Sequence, residues 1–227
     1  MNINDYFHRQ IQLWGKDRQN SLQGKKIAII GCGGLGSSLG ITLGSCGIGT
    51  LYCIDFDKIE NHNIHRQIAF KIEDEDKYKC DVLCKLISDR SPYVKTIPKN
   101  MYFEEFCKEN NDIDLIIDAT DNLITRAEID KFARENNIPW VYGSVEEFNG
   151  HVCFFDKSNF STFTITDRKP GGIAGPIIMH IASLQANLAF RFLAGLPVKK
   201  DLLYYIYFDS DGELITQKFK MPIDKDG

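Results

Sequence analysis

The sequence predicts an α/β fold: a mixed sheet, parallel in its N-terminal part and antiparallel at its C-terminal end, with helices on both faces. Three observations carry this. Short apolar runs alternate with stretches of helical periodicity from residue 26 to residue 142, the signature of parallel strands joined by covering helices. The run Lys26–Ile30 (KIAII) is apolar, short and closed by glycines, as a buried strand is. The last two apolar runs are separated by Asp211-Gly212, a hairpin signal, so the sheet ends antiparallel.

The elements follow in order. Residues 6–22 form an N-terminal helical arm broken near Gly15. After the first strand, residues 35–46 read as a helix of small residues. Thr50–Ile54 is the second strand and ends at Asp55. Residues 57–70 are polar and irregular, residues 78–89 have helical periodicity, and 93–97 form a strand. Phe103–Glu109 is a short helix, and residues 113–117 form another strand that also runs into an aspartate, Asp118. A helix over 125–135 and a strand over 140–142 complete this half. After Gly143 the pattern changes: a strand at 151–155, a polar loop at 156–172, and a long apolar helix from Pro176 to about residue 194, with proline in its first turn. Strands at 202–208 and 213–219 end the chain. The apolar face of residues 177–193 is simplest as core.

Bulk properties narrow the class. With 227 residues, 43% hydrophobic and 26% charged, the chain can build one substantial core. A net charge of -4 gives no basic field for nucleic acid. No apolar run approaches the ~20 residues of a membrane span, and the polar start is unlike a secretory signal, so the expected location is cytoplasmic. The seven cysteines are odd in number, irregularly spaced and free of any Cys-x-x-Cys pair, which argues against a disulfide framework. Cys80 and Cys84 stand one helical turn apart; they read as small packing residues on a helix rather than half a metal site.

The chemistry concentrates at Gly31-Cys32-Gly33-Gly34-Leu35-Gly36-Ser37, directly after a strand and opening a helix. Phosphate can approach glycine backbone closely, and a helix N-terminus offers free N–H groups and a positive dipole end. Asp55 follows about twenty residues on, where an acid can hold ribose hydroxyls. The alternative is a tight turn packed on a neighbour. This pattern gives a Rossmann-like nucleotide-binding fold but serves NAD as well as ATP, so a dehydrogenase is a rival. Cations beyond the turn, Arg66 and Lys79, favour adenylation, in which departing pyrophosphate carries developing charge. Taken alone, Arg66 or Lys79 is most often a solvated surface charge, and Arg9 could be an ordinary surface residue on the arm. Asp118 could cap the following helix or satisfy turn N–H groups. Asp121 could serve only the helix dipole.

Together these residues resemble the ThiF/MoeB/HesA superfamily, bacterial relatives of the ubiquitin-activating enzymes. The resemblance is carried by the glycine turn, Asp55-x-Asp57, Asn63-x-x-Arg66-Gln67, Lys79, and Asp118-Ala-Thr-Asp121-Asn122 with Arg126. Tyr6-Phe7-His8-Arg9-Gln10-Ile11, Gly143-Ser144-Val145 with Gly150, and the blocks after Gly172 extend it from about residue 5 to 195. It implies ATP-dependent adenylation of the C-terminal Gly-Gly carboxylate of a small ubiquitin-like sulfur-carrier protein. Gly31, Gly33, Gly34, Leu35 and Gly36 would cradle phosphate. Asp55 would hold ribose, with Asp57 and Asn122 beside the nucleotide. Asn63 and Arg66 would sit at the triphosphate with Gln67 in support, and Lys79 would bind phosphate across the breaking bond. Asp121 would carry Mg2+, and Arg9 would reach a homodimer partner's site. Residues 1–24 would then be the arm, 25–143 the nucleotide-binding half and 144–227 the carrier-binding half of one adenylating domain.

The sequence also departs from that family. It lacks the paired Cys-x-x-Cys of zinc-holding relatives, so no zinc is expected, and no cysteine lies in residues 156–172 for thioester or persulfide chemistry. Cys153 reads as packing. Adenylation of a different carboxylate, such as one on a modified tRNA base, and a non-catalytic nucleotide-binding partner subunit are the alternatives.

Overall fold

The computed structural model describes residues 2–109, 112–163 and 171–223. Its strands are β1 (Lys26–Ile30), β2 (Thr50–Ile54), β3 (Lys95–Lys99), β4 (Leu115–Asp118), β5 (Trp140–Glu146), β6 (Asn149–Phe155), β7 (Leu202–Phe208) and β8 (Leu214–Lys220). They form a single sheet in the order β3-β2-β1-β4-β5-β6-β7-β8. The strands from β3 to β5 are mutually parallel, and β5 to β8 pair antiparallel. β5 belongs to both regimes: Ile116 of β4 is opposite Trp140, and Gly143 is opposite Val152 of β6.

The helices are α1 (Ile3–Tyr6), α2 (His8–Trp14), α3 (Lys16–Leu22), α4 (Gly34–Gly44), α5 (Lys79–Arg90), α6 (Phe103–Glu109), α7 (Leu123–Glu135) and α8 (Gly175–Leu193). Strand alternation assigns them to faces. Ile27 and Ile29 of β1 point into one core with Leu39 of α4, Leu83 of α5 and Ile181 of α8. Ala28 and Ile30 point into the other, with Phe106 of α6 and Ile129 of α7. Both faces of the parallel part are therefore apolar, which is why its strands read as continuous hydrophobic runs. No described helix is long and apolar enough to cross a membrane.

Boundaries differ from the sequence reading where tertiary pairing decides them. β3 lies two residues later than expected and contains Pro98; it is an edge strand, where a missing N–H costs no ladder bond. β4 starts at Leu115 rather than 113, because Asp114 is turned to β1, its carboxylate accepting from Lys26 N (2.8 Å) and Lys25 Nζ (2.8 Å). β5 runs on to Glu146 because β6 extends its ladder. The arm breaks at Phe7 as well as at Gly15 (φ 87°), and Phe7 is buried against Gly47. The expected polar loop at 156–172 contains a 3-10 turn, Phe160–Thr162, and its residues 164–170 lie outside the described residues.

Cys80 and Cys84 are packing residues of α5, buried in the same core as Cys32 and Cys53. Burial pushes the Cys32 thiol up to about 11. Cys153 is fully buried in the other core, and burial raises its pKa too.

Candidate nucleotide site

At the carboxyl end of β1 the chain turns through Gly31 (φ 92°), whose N–H donates to Ile54 O at 2.8 Å. A Cβ on Gly31 would lie 2.7 Å from Ala119 O, and one on Gly36 only 1.9 Å from Gly31 O. Glycine at these two positions is what lets the first turn of α4 close onto β1 and the turn after β4. Gly33 is the N-cap of α4 and supplies no side-chain acceptor. The first N–H groups of the helix are thus left for an anion.

Gly31, Gly33, Gly34 and Leu35 form one wall of a cavity of about 420 Å³. Asp55 and Asp57, following β2, form the next wall. The Asp55 carboxylate is braced by two backbone donors, Cys32 N at 2.6 Å and Asp57 N at 2.8 Å. Burial raises the Asp55 pKa, against the pull of those N–H groups and of Lys79. Lys79, the first residue of α5, is buried and lines the cavity, with its Nζ 2.7 Å from Asp57 Oδ2.

Arg66 and Gln67 enter from the segment after β2. Asn63 does not line the cavity; it is buried behind it and accepts from Arg66 Nη2 at 3.1 Å, while Arg66 Nη1 donates to His62 O at 3.2 Å. The guanidinium is thereby aimed from behind. The Gln67 side chain is buried, and its Oε1 has no protein partner. Asp121 and Asn122 close the cavity on the β4 side. Asn122, not Asp118, caps α7, accepting from Thr125 N at 2.8 Å, so α7 begins at Leu123 rather than at 125. Asp118 satisfies the turn instead, accepting from Thr120 N at 2.9 Å.

Gly36 and Arg9 also stay out of the cavity. Gly36 serves the turn itself. Arg9 bonds Gln12 on the arm (3.2 Å), and the arm packs beside Cys46 and Gly47. That is the far end of α4, about 15 Å along the helix from the glycine turn.

Two aromatic residues of the cavity, Phe56 and Tyr102, were not singled out from the sequence. Phe56 and Tyr102 stack at the mouth, with centroids 4.2 Å apart and planes 31° apart, and both rings are exposed. Phe56 could have been found from its place between Asp55 and Asp57; Tyr102 carries no sequence signal. Val145, Ile173 and Ile178 also line the cavity, and Ile178 packs beside Gly34. Ile173 is held there by the turn between β5 and β6, where Glu147 N donates to Gly172 O (2.7 Å) and Ala174 N to Glu147 O (2.9 Å).

The strand order and the glycine turn at the carboxyl ends of β1 and β2 define a Rossmann-like α/β protein. The chain belongs to the ThiF family, whose model matches residues 7–225. It is 32% identical over 195 residues to the adenylyltransferase and sulfurtransferase MOCS3 of Dictyostelium discoideum, covering 79% of this chain and 45% of that protein. It is 28% identical over 212 residues to the sulfur carrier protein ThiS adenylyltransferase of Escherichia coli, covering 86% of this chain and 84% of that one. The chain spans about half the length of the MOCS3 proteins of Dictyostelium discoideum and Caenorhabditis briggsae, 45% and 49%. Among solved structures, Escherichia coli MccB with ATP superposes with a TM-score of 0.86 at 20% identity, over 98% of this chain and 72% of that chain. PaaA gives 0.81 at 22% identity, over 96% and 73%. Both share the fold.

Proposed function

We propose that this protein is an ATP-dependent adenylyltransferase that activates the C-terminal carboxylate of a small ubiquitin-like sulfur-carrier protein. The observation that carries the proposal is the convergence on one cavity of the glycine turn, Asp55 and two cations, Arg66 and Lys79, in a chain of the ThiF family. Its relatives named as adenylyltransferases of sulfur carriers support the substrate class.

In this reading the triphosphate lies along Gly33 and Gly34, and the ribose meets Asp55. A carrier carboxylate oxygen attacks the α-phosphorus. The new O–P bond forms as the bond to the β-phosphate oxygen breaks, giving an acyl adenylate and pyrophosphate. Arg66 and Lys79 hold the oxygens that gain charge, and positioning accounts for most of the remainder.

Among the described residues no cluster of three or more His, Cys, Asp or Glu could hold a metal ion. A single carboxylate, Asp121, fits Mg2+ that arrives with its phosphates, a hard cation bound by one or two carboxylates and the substrate. When bound, Mg2+ supplies charge neutralisation of the triphosphate.

The proposed chemistry covers formation of the acyl adenylate; Cys32 and Cys153 are buried packing residues. A cytoplasmic homodimer, with Arg9 completing the neighbouring site, belongs to the same proposal. The test is pyrophosphate–ATP exchange in the presence of candidate Gly-Gly carriers. Carrier-dependent exchange is expected; tight NAD binding with no ATP binding would sink the proposal.

A further inference from the structure

Beneath the turn that bears Asp121 lies a buried ion pair that the proposed chemistry does not use. Asp118, the last residue of β4, has 0% exposure, and Arg126 of α7 has 6%. Arg126 Nε donates to Asp118 Oδ2 at 3.1 Å, and Nη2 donates to the carbonyls of Thr120 (2.6 Å) and Gly143 (3.3 Å). Its Cζ is 5.2 Å from the centroid of the Tyr142 ring. The second Asp118 oxygen accepts from Thr120 N (2.9 Å) and Thr120 Oγ1 (2.7 Å). From α8, Gln185 Nε2 donates to Asp118 O at 2.7 Å.

A buried pair of this kind contributes little net stability, because desolvation of both charges offsets their attraction. What it supplies is geometry. One planar guanidinium reaches a carboxylate, a carbonyl of the turn after β4 and a carbonyl of β5 at once, which a lysine point charge cannot do. The turn from Ala119 to Asn122 is therefore fixed from below. Thr120 and Asp121 line the cavity, whereas Arg126 does not.

We propose that Arg126 is a positioning residue for metal-assisted nucleotide binding: through Asp118 and the Thr120 carbonyl it holds the backbone that presents Asp121. The proposal rests on the reading of Asp121 as the magnesium-bearing carboxylate. It also links that carboxylate to β5 and α8 through Gly143 and Gln185, so the two halves of the cavity share one support.

Arg126→Lys keeps the charge opposite Asp118 and loses the fork. Calorimetric titration with ATP, once with Mg2+ and once with EDTA, separates the effects. Loss of support for a ligand carboxylate costs about 10- to 100-fold in metal-dependent affinity. The expected result is a weakening of that size in the Mg2+ titration, with metal-free ATP affinity and thermal unfolding close to parent. The double variant Asp118→Asn/Arg126→Gln removes both buried charges together, avoids an orphaned carboxylate, and decides the matter if Arg126→Lys does not fold. Its expected loss is again confined to the Mg2+ titration. Equal affinities with and without substitution, or equal losses with and without Mg2+, would overturn the positioning role. A parent protein that binds no ATP overturns the nucleotide reading itself, a result distinct from either.

Discussion

Lys79 Nζ lies 2.7 Å from Asp57 Oδ2, and of the two partners it is the lysine that is buried, with 7% of its side chain exposed against 50% for the aspartate. A desolvated ammonium held at a cavity wall by a half-exposed carboxylate interacts strongly with any phosphate that enters. Lys79→Met keeps the aliphatic stem and removes the charge. Pyrophosphate exchange should fall by about 100-fold or more, the scale of losing one electrostatic stabiliser. Unchanged exchange rates would exclude Lys79 from the chemistry.

The glycine turn gives a paired prediction. A methyl on Gly33 meets only the end of the Gln67 side chain, Nε2 at 3.4 Å and Cδ at 3.8 Å, although φ -74° and ψ -134° lie outside the regions open to L side chains. Gly33→Ala should therefore lose some melting stability, less than Gly36→Ala, and should also lose ATP affinity at the turn that takes the phosphates. Gly36→Ala drives a methyl to 1.9 Å from a backbone carbonyl. It should cost ~3 kcal/mol or more in denaturant unfolding. Parallel behaviour of the two variants would mean that Gly33 is a packing residue only.

Asp201 gives a prediction in pH. Burial alone would raise its pKa, but the Ser158 hydroxyl and the N–H groups of Asp156, Lys157 and Ser158 outweigh burial and hold it below the usual carboxylate value. A carboxyl depressed in the folded state contributes stability above its unfolded pKa, and that contribution is lost as pH falls through the folded one. Asp201→Asn should destabilise by about 1–2 kcal/mol at pH 7, the difference between charged and neutral acceptors. In denaturant melts the gap between variant and parent should close as pH falls below about 4. A constant gap across that range would show that the carboxylate charge contributes nothing.

Arg9 stands on the arm, away from its own chain's cavity, and Leu13 of the same helix is 74% exposed. If Arg9 acts on a partner, Arg9→Ala and Asp121→Ala should each abolish exchange. Mixing the two under conditions that exchange subunits should then restore part of it, since one site of a mixed dimer keeps both residues. Analytical ultracentrifugation of the parent should show a dimer. A monomer, or no recovery on mixing, would remove Arg9 from the proposed site.

Local chemistry was readable wherever a residue's partners lie close in sequence. The glycine turn, Asp55 and the strand that ends at it follow from spacing, because β1, α4 and β2 are consecutive and pack on one another. Pairings across long separations were not readable. The start of β4 is set by Asp114 bonding back to Lys26, and the length of β5 by a ladder with β6. Arg126 was visible only as a motif member. Its three acceptors lie on β4, on the turn after it and on β5, and periodicity carries no information about them. Tyr102 meets Phe56 only because both follow strands that end side by side.

The strand order has a consequence for how the molecule is made. On a nascent chain, β1, α4, β2, α5 and β3 can assemble from residues that leave the ribosome together, but β1 is flanked by β2 on one side and by β4 on the other. One edge of β1 therefore stays open until Leu115–Asp118 has been synthesised. An open, apolar strand edge invites pairing with another chain. Between the translation of Ile54 and of Leu115 the open edge of β1 is thus a surface that a ribosome-bound chaperone can protect.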